Sequence, residues 1–241
     1  LFRSGDLQKL SKLPLSPADF FSRDITLVKE LITLENMQKK YAECWIPDLE
    51  VTPNLTGKLG HLKKADFVIK YIGPLSRMQK KETPKLYDLM IILSGPEPQR
   101  GLLEEKLKTE ILSYKGKVVF IKGIIEKDQK KEQIENVTYY NFMNSRQLEQ
   151  TFNESEIVLC RSGYTTIMDL VKLDKKAYFI PTPGQYEQEY LAKKFKEEGQ
   201  VPYSKQEDFR IANLKELEKF KGLPAFETRI NWENLFDVFE K

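Results

Sequence analysis

The sequence predicts an α/β protein built on a doubly wound parallel sheet, Rossmann-like, with a smaller or incomplete region ahead of it. Three observations carry this. From Tyr87 onward, short runs rich in Ile, Val, Phe and Tyr recur about 20 residues apart, the rhythm of βαβ units. Apolar stripes of helical period separate several of these runs. Polar residues gather where a run gives way to its stripe, as at the carboxyl ends of parallel strands.

In chain order, residues 1–23 hold Gly5, Pro14 and Pro17 and show no period. A helix is expected over 24–40, with Asp24 as N-cap and Ile25, Val28, Leu31 and Ile32 as its stripe. A short strand at 41–46 ends at Pro47. A connection rich in Gly, Pro and Lys follows, then a strand at 67–72 broken by Gly73-Pro74. The basic stretch 76–86 reads as an interdomain linker. Strands are then expected at 87–93, 117–121, 137–140, 156–160, 176–180 and 200–203. Helical patterns lie at 102–112, 145–152, 165–173, 186–197 and 213–220. The charged stretch 126–135 reads as a solvated loop, and 230–239 as a helix whose aromatic face docks on the body. The expected domains are 1–72, a linker at 73–86, 87–225, and a returning C-terminal helix at 226–241.

Composition narrows the function. Lys and Arg number 39 against 36 acidic residues, and the mixed signs argue against bulk nucleic-acid binding. The single histidine, His61, argues against a histidine-based metal cluster and a Ser-His triad. No apolar run approaches the ~20 residues of a membrane span. Cys44 and Cys160 read as buried free thiols, which points to a reducing, cytoplasmic setting. The chain begins with Leu1 rather than Met and is read as a fragment, or as one with segments missing.

The stretch 156–194 is the most informative. After its first strand come Arg161, Ser162, Gly163, Thr165, Thr166 and Asp169. After its second come Gln185, Glu187, Gln188 and Glu189. A helix opening at such a place aims free N–H groups and a positive dipole end at an anion, so this is read as half of a nucleotide or nucleotide-sugar site. Ser162 and Thr165 can cap the helix. Arg161 either touches a phosphate or holds the turn. Asp169 either accepts from ribose hydroxyls or closes a capping box with Thr166. Ser94-Gly95 sits where a dinucleotide fold has its phosphate loop, with Gln99 and Arg100 as further donors, and Arg77 offers another cation.

The runs CRSGYTTIMDL and YFIPTPGQYEQEYLAKKF, in this order, resemble the C-terminal, donor-binding domain of family 28 glycosyltransferases. The resemblance covers roughly residues 70–225 and implies the two-domain GT-B fold. It implies a metal-independent, inverting hexosyltransferase using a UDP-sugar, UDP-GlcNAc foremost, with no cofactor. Asp169, where better-known members carry Glu, would take the ribose hydroxyls. Gln188, with Glu189, would take sugar hydroxyls, and Gln185 lies beside them. Ser94, Gly95 and the helix start at 162–166 would face the diphosphate, with Arg161, Gly163 and Arg77 adjacent. The implied acceptor is an unidentified glycan or lipid-linked molecule, which brings peripheral association with the inner face of a membrane. No catalytic base can be named. Two other readings stay open: a donor-binding module that needs a partner subunit or a missing N-terminal segment, and a UDP-sugar hydrolase or epimerase on the same fold.

Overall fold

The computed structural model describes residues 43–61, 68–224 and 236. The helix expected over 24–40 lies outside the described residues, as does all but Phe236 of the C-terminal pattern. The chain divides into two compact units, one of Leu1–Leu75, Gln185–Glu187 and Glu227–Lys241, the other of Ser76–Gly184 and Gln188–Phe226.

In the first unit, β1 (Glu43–Ile46) pairs in parallel with β2 (Val68–Tyr71). Asp48 follows β1 and is fully buried. Its carboxylate accepts from the amides of Leu49, Leu55 and Thr56 and from the Thr56 hydroxyl. That cage satisfies a charge which burial would otherwise penalise heavily. The lone His61 stacks on Tyr71 and bonds the carbonyls of Gly57 and Leu49, a structural post.

The second unit carries six strands: β3 (Tyr87–Ile92), β4 (Val118–Ile121), β5 (Lys131–Ile134), β6 (Val137–Tyr140), β7 (Ser155–Cys160) and β8 (Lys176–Phe179). Their order is β5-β6-β4-β3-β7-β8, parallel throughout except for β5 against β6. The helices are α1 (Gln99–Glu110), α2 (Ser145–Glu154), α3 (Tyr164–Leu173) and α4 (Tyr186–Glu197). Alternation along β3 and the residue after it sends Leu89, Ile91 and Leu93 to one face, where they share a core with Leu103 and Leu107 of α1 and with its C-cap Ile111, spaced four residues apart. Met90, Val119 and Val158 are equally buried, so both faces of the sheet are covered, as a parallel sheet requires. Each such side chain contributes about 1.5–3 kcal/mol.

Three expectations are corrected. The charged stretch 126–135 is not all loop, because β5 forms an antiparallel hairpin with β6. All four β5 residues are exposed, so no apolar pattern betrayed it. Residues 200–203 form no strand; one bridge joins Tyr203 to Phe179 at the β8 edge, where Pro202 has no N–H to extend a ladder. The pattern at 213–220 is a 3-10 helix, Ile211–Lys219. The stretch 76–86 carries no helix or strand and is fastened along α2: Gln79 N–H donates to Glu149, Lys81 N–H to the Asn153 side chain and Leu86 N–H to the Glu154 carbonyl.

Candidate functional site

The strand order runs from β3 outward to β4 and β6, then returns to β7 on the other side of β3. The reversal lies between β3 and β7, and ligands in open α/β sheets bind at such a point, outside the carboxyl ends of the strands. Three loops leave that end side by side: Ser94-Gly95 after β3, Arg161-Ser162-Gly163 after β7, and 181–184 after β8. Gly95 has φ of 99°, a region that disfavours any side chain. A Cβ there would come within 4.0 Å of Thr182 Oγ1, so the first and third loops abut.

Arg161 does not face this mouth. It is 1% exposed, and its guanidinium donates to the carbonyls of Ile180, Pro181 and Gln99 and to the Gln206 side chain. One side chain thereby ties β7's end to β8's end, to the start of α1 and to the segment after α4. Of its two sequence readings, the one that holds the turn is observed. Burial lowers its pKa to about 10, so it stays charged at neutral pH. Arg100 likewise turns away from a ligand: it pairs with Glu97 and Glu104 and donates to the Lys122 carbonyl.

The helix α3 starts without a side-chain cap. Its N-cap is Gly163, so neither Ser162 nor Thr165 caps it, and Thr166 and Asp169 form no capping box. Ser162 is fully buried and donates its hydroxyl to the Gln188 carbonyl, 2.7 Å. A Cβ at Gly163 would meet nothing within 4 Å, so open space lies over the helix start. Thr165 is exposed there and Thr166 half-buried.

Asp169 is half-buried one turn further along α3, and Ser76 Oγ donates to its Oδ1 at 2.6 Å. Among the described residues, nothing donates to Oδ2. Burial raises this carboxyl above the usual carboxylate range, against the opposing pull of the Ser76 hydrogen bond and the Arg77 charge. A carboxylate held at such a cost, with one oxygen uncommitted, has the features of a binding group rather than a cap.

At the third loop, Gln188 Oε1 accepts from Thr182 N–H and Glu189 Oε1 from Gly184 N–H, both 2.9 Å. These two side chains close the turn before α4 as well as bordering the mouth. Gln185 is grouped with the first unit. Two residues were missed. Ser76 was read only as linker, and its partner lies 93 positions away, beyond any local pattern. Thr182 Oγ1 is buried without a partner beside Gly95; its position between two prolines was the available signal.

The profile of the glycosyltransferase family 28 C-terminal domain matches residues 99–219, half of the chain. The chain belongs to glycosyltransferase family 28. Among family relatives, the UDP-N-acetylglucosamine–N-acetylmuramyl-(pentapeptide) pyrophosphoryl-undecaprenol N-acetylglucosamine transferase of Haemophilus ducreyi is 24% identical over 150 residues, 59% of this chain and 41% of that protein. The enzyme of the same name from a Sulfurihydrogenibium species is 23% identical over 96% of this chain and 68% of its own length. The chain therefore spans about two-fifths to two-thirds of these curated relatives. Among solved structures, Acinetobacter baumannii MurG aligns with a TM-score of 0.48 at 13% identity, covering 87% of this chain and 63% of its own. The spinosyn forosaminyltransferase SpnP aligns at 0.49 and 13%, covering 89% and 56%. The family match spans α1 through the 3-10 segment and so contains the α3 and α4 starts. Among the described residues of this family 28 chain, no three His, Cys, Asp or Glu side chains group to hold a metal, and no helix is long and apolar enough to cross a membrane.

Proposed function

We propose that this chain is the donor-binding part of a glycosyltransferase that moves a sugar from a UDP-sugar, UDP-GlcNAc foremost, to an acceptor hydroxyl. The observation that carries the proposal is Asp169: half-buried, fixed by Ser76 through one oxygen, its other oxygen uncommitted, one turn along a helix whose start is open to solvent. Such a carboxylate suits the two hydroxyls of a ribose. The diphosphate would lie over the N-terminus of α3 and against Ser94 and Gly95, with Arg77 adding charge. Gln188 and Glu189 border the place for the sugar. The names of the two relatives supply the donor and suggest a lipid-linked acceptor, hence peripheral association with the cytoplasmic face of a membrane.

In the reaction, the acceptor oxygen bonds to the anomeric carbon as the bond to the diphosphate oxygen breaks, and the acceptor proton passes to a base. Charge grows on the leaving diphosphate. Preorganised N–H groups of α3 and the Arg77 guanidinium oppose that charge without reorganising. No metal or cofactor is invoked, and inversion at the anomeric carbon follows the family.

A thermal-shift titration with UDP and UDP-sugars tests this. At a hundred times Kd, a ligand of the folded state adds about 2.7 kcal/mol of stability. Asp169→Ala should fold and lose most of that shift. If UDP raises the melting temperature of Asp169→Ala as much as that of the parent, Asp169 is not the ribose group. A second reading, a donor-binding module that works with an acceptor-side partner chain, draws support from a family match confined to a C-terminal domain. The two readings part on whether the purified chain alone turns over donor sugar onto an acceptor.

A further inference from the structure

At the opposite end of the same sheet, the amino ends of β7 and β8 and the chain leading into β3 enclose a cavity of about 240 Å³. Its lining holds five lysines, Lys80, Lys81, Lys85, Lys175 and Lys176, against three carboxylates, Glu82, Glu156 and Asp174. Two of the lysines are neutralised locally: Lys80 pairs with Asp174 at 2.7 Å and Lys81 with Glu149. The other three form no ion pair among the described residues.

Lys175 is 7% exposed, and its ammonium donates only to the carbonyls of Asn153 and Ser155, at 3.2 and 2.9 Å. Lys85 donates to the same Asn153 carbonyl at 2.7 Å. One cation at this spot has a plain structural use, because Asn153 and Ser155 stand at the C-terminus of α2, where carbonyls and the dipole attract positive charge. A second cation on the same oxygen has none. The two ammonium groups repel one another, and no carboxylate bridges them. Burial, then the neighbouring Lys85, brings Lys175 down to about 8, while Glu156 pulls it the other way. An anion between the two would relieve that repulsion and leave each its carbonyl bond.

We infer that this cavity is an anion site for a phosphate or diphosphate group, with Lys85 and Lys175 as its direct donors and Lys176 at its rim. Its volume falls below the ~300–1,000 Å³ of pockets for drug-sized ligands and suits a small anion. A compact ammonium on a flexible stem serves as a point charge toward phosphate. The site lies at the other pole of the sheet from the Asp169 mouth and rests on its own observations, so it stands or falls independently of the donor reading.

Calorimetric titration of the whole chain with inorganic pyrophosphate, and then inorganic phosphate, tests it. Because pyrophosphate also resembles the diphosphate of a sugar donor, the decisive quantity is the difference between the parent and Lys85→Ala. Lys85 is exposed, so this variant is expected to fold; Lys175→Gln is the companion, and exposed Lys193→Ala, on α4, is the control. A site present in the parent and in Lys193→Ala, and weakened about tenfold or more in Lys85→Ala, is the expected result. Co-sedimentation with phosphatidylglycerol vesicles, set against phosphatidylcholine, then separates the sources. Lys85-dependent sedimentation assigns the site to a lipid phosphate, and pyrophosphate binding without it assigns the site to a soluble one. Equal affinity and stoichiometry in the parent and Lys85→Ala overturns the inference. So does a parent that binds neither millimolar pyrophosphate nor anionic vesicles.

Discussion

The sharpest test of how the mouth is built is Arg161. Its guanidinium joins three loops through four acceptors, three of them main-chain carbonyls. A hydrogen bond to a charged group contributes about 1.5–3 kcal/mol. The desolvation of a cation that is 1% exposed offsets much of that sum. Leaving a buried acceptor unsatisfied costs about 1–3 kcal/mol, and with four neutral acceptors abandoned and water relieving part of the loss the total should reach about 3–5 kcal/mol. Arg161→Met should therefore consume a large share of the ~5–15 kcal/mol that holds a domain together. Arg161→Lys should do little better, since one ammonium cannot reproduce the planar fork. With a urea slope of about 2–3 kcal/mol/M for a chain of this size, the unfolding midpoint should fall by roughly 1–2 M. Urea titration followed by far-ultraviolet circular dichroism reads this directly. UDP should still raise the midpoint of whatever fraction folds. An Arg161→Lys protein with the parental midpoint and no response to UDP would mean that the guanidinium serves a phosphate and not the fold.

Three further outcomes are expected. Burial raises the Asp169 pKa in the fold, so the native state binds more protons than the unfolded chain in the window from the ordinary carboxylate value of 3.8 up to the raised one, and stability declines as pH climbs through it. Asp169→Asn, which keeps an acceptor for Ser76, should be at least as stable as the parent at pH 7.5, with its lead shrinking toward pH 4; a lead that grows in acid would contradict the assignment. Gly123 has φ of 72°, and a Cβ there would sit 2.3 Å from the Leu93 carbonyl oxygen, so Gly123→Ala should lower the melting temperature sharply by prying β4's end from β3's, and an unchanged melting curve would count against that register. Cys160 is 3% exposed and burial pushes its thiol far above the ordinary range, so a thiol-reactive dye should label it only on unfolding, whereas rapid labelling in native buffer would show that the β7 end opens.

The α/β rhythm was legible because parallel strands are buried on both faces and read as short continuous apolar runs. Thus β3, β4, β7 and β8 were located to within a residue or two, and α3 and α4 with them. The strand β5 was not legible: Lys131, Glu132, Gln133 and Ile134 are all exposed, and what makes them a strand is pairing with β6, not burial. The segment 200–203 was apolar enough to suggest a strand, but Pro202 limits it to a single bridge. Local pattern records burial, and it misses elements that are defined by a neighbour's hydrogen bonds.

The same limit governs the site. Sequence placed Arg161, Ser162 and Asp169 at one strand end, yet it could not assign their directions. Direction is set by partners distant in the chain: Gln99 and Gln206 for Arg161, Gln188 for Ser162, Ser76 for Asp169. Once those are known, the roles separate by a simple rule. Arg161 spends its bonding on buried carbonyls and has become part of the scaffold, though one nitrogen, Nε, finds no partner. Ser162 is likewise committed, to the carbonyl that opens α4. Asp169 alone among the three keeps an acceptor free while carrying the cost of burial. A side chain that is fully satisfied by its own chain explains stability, and one left partly unsatisfied in a half-buried place calls for a ligand. By that rule, and on the donor reading proposed above, a ribose would be held by Asp169 and Ser76. A diphosphate would then rely on backbone N–H groups at Gly163 and beyond, rather than on the arginine next to it in sequence, whose bonds go to its own chain.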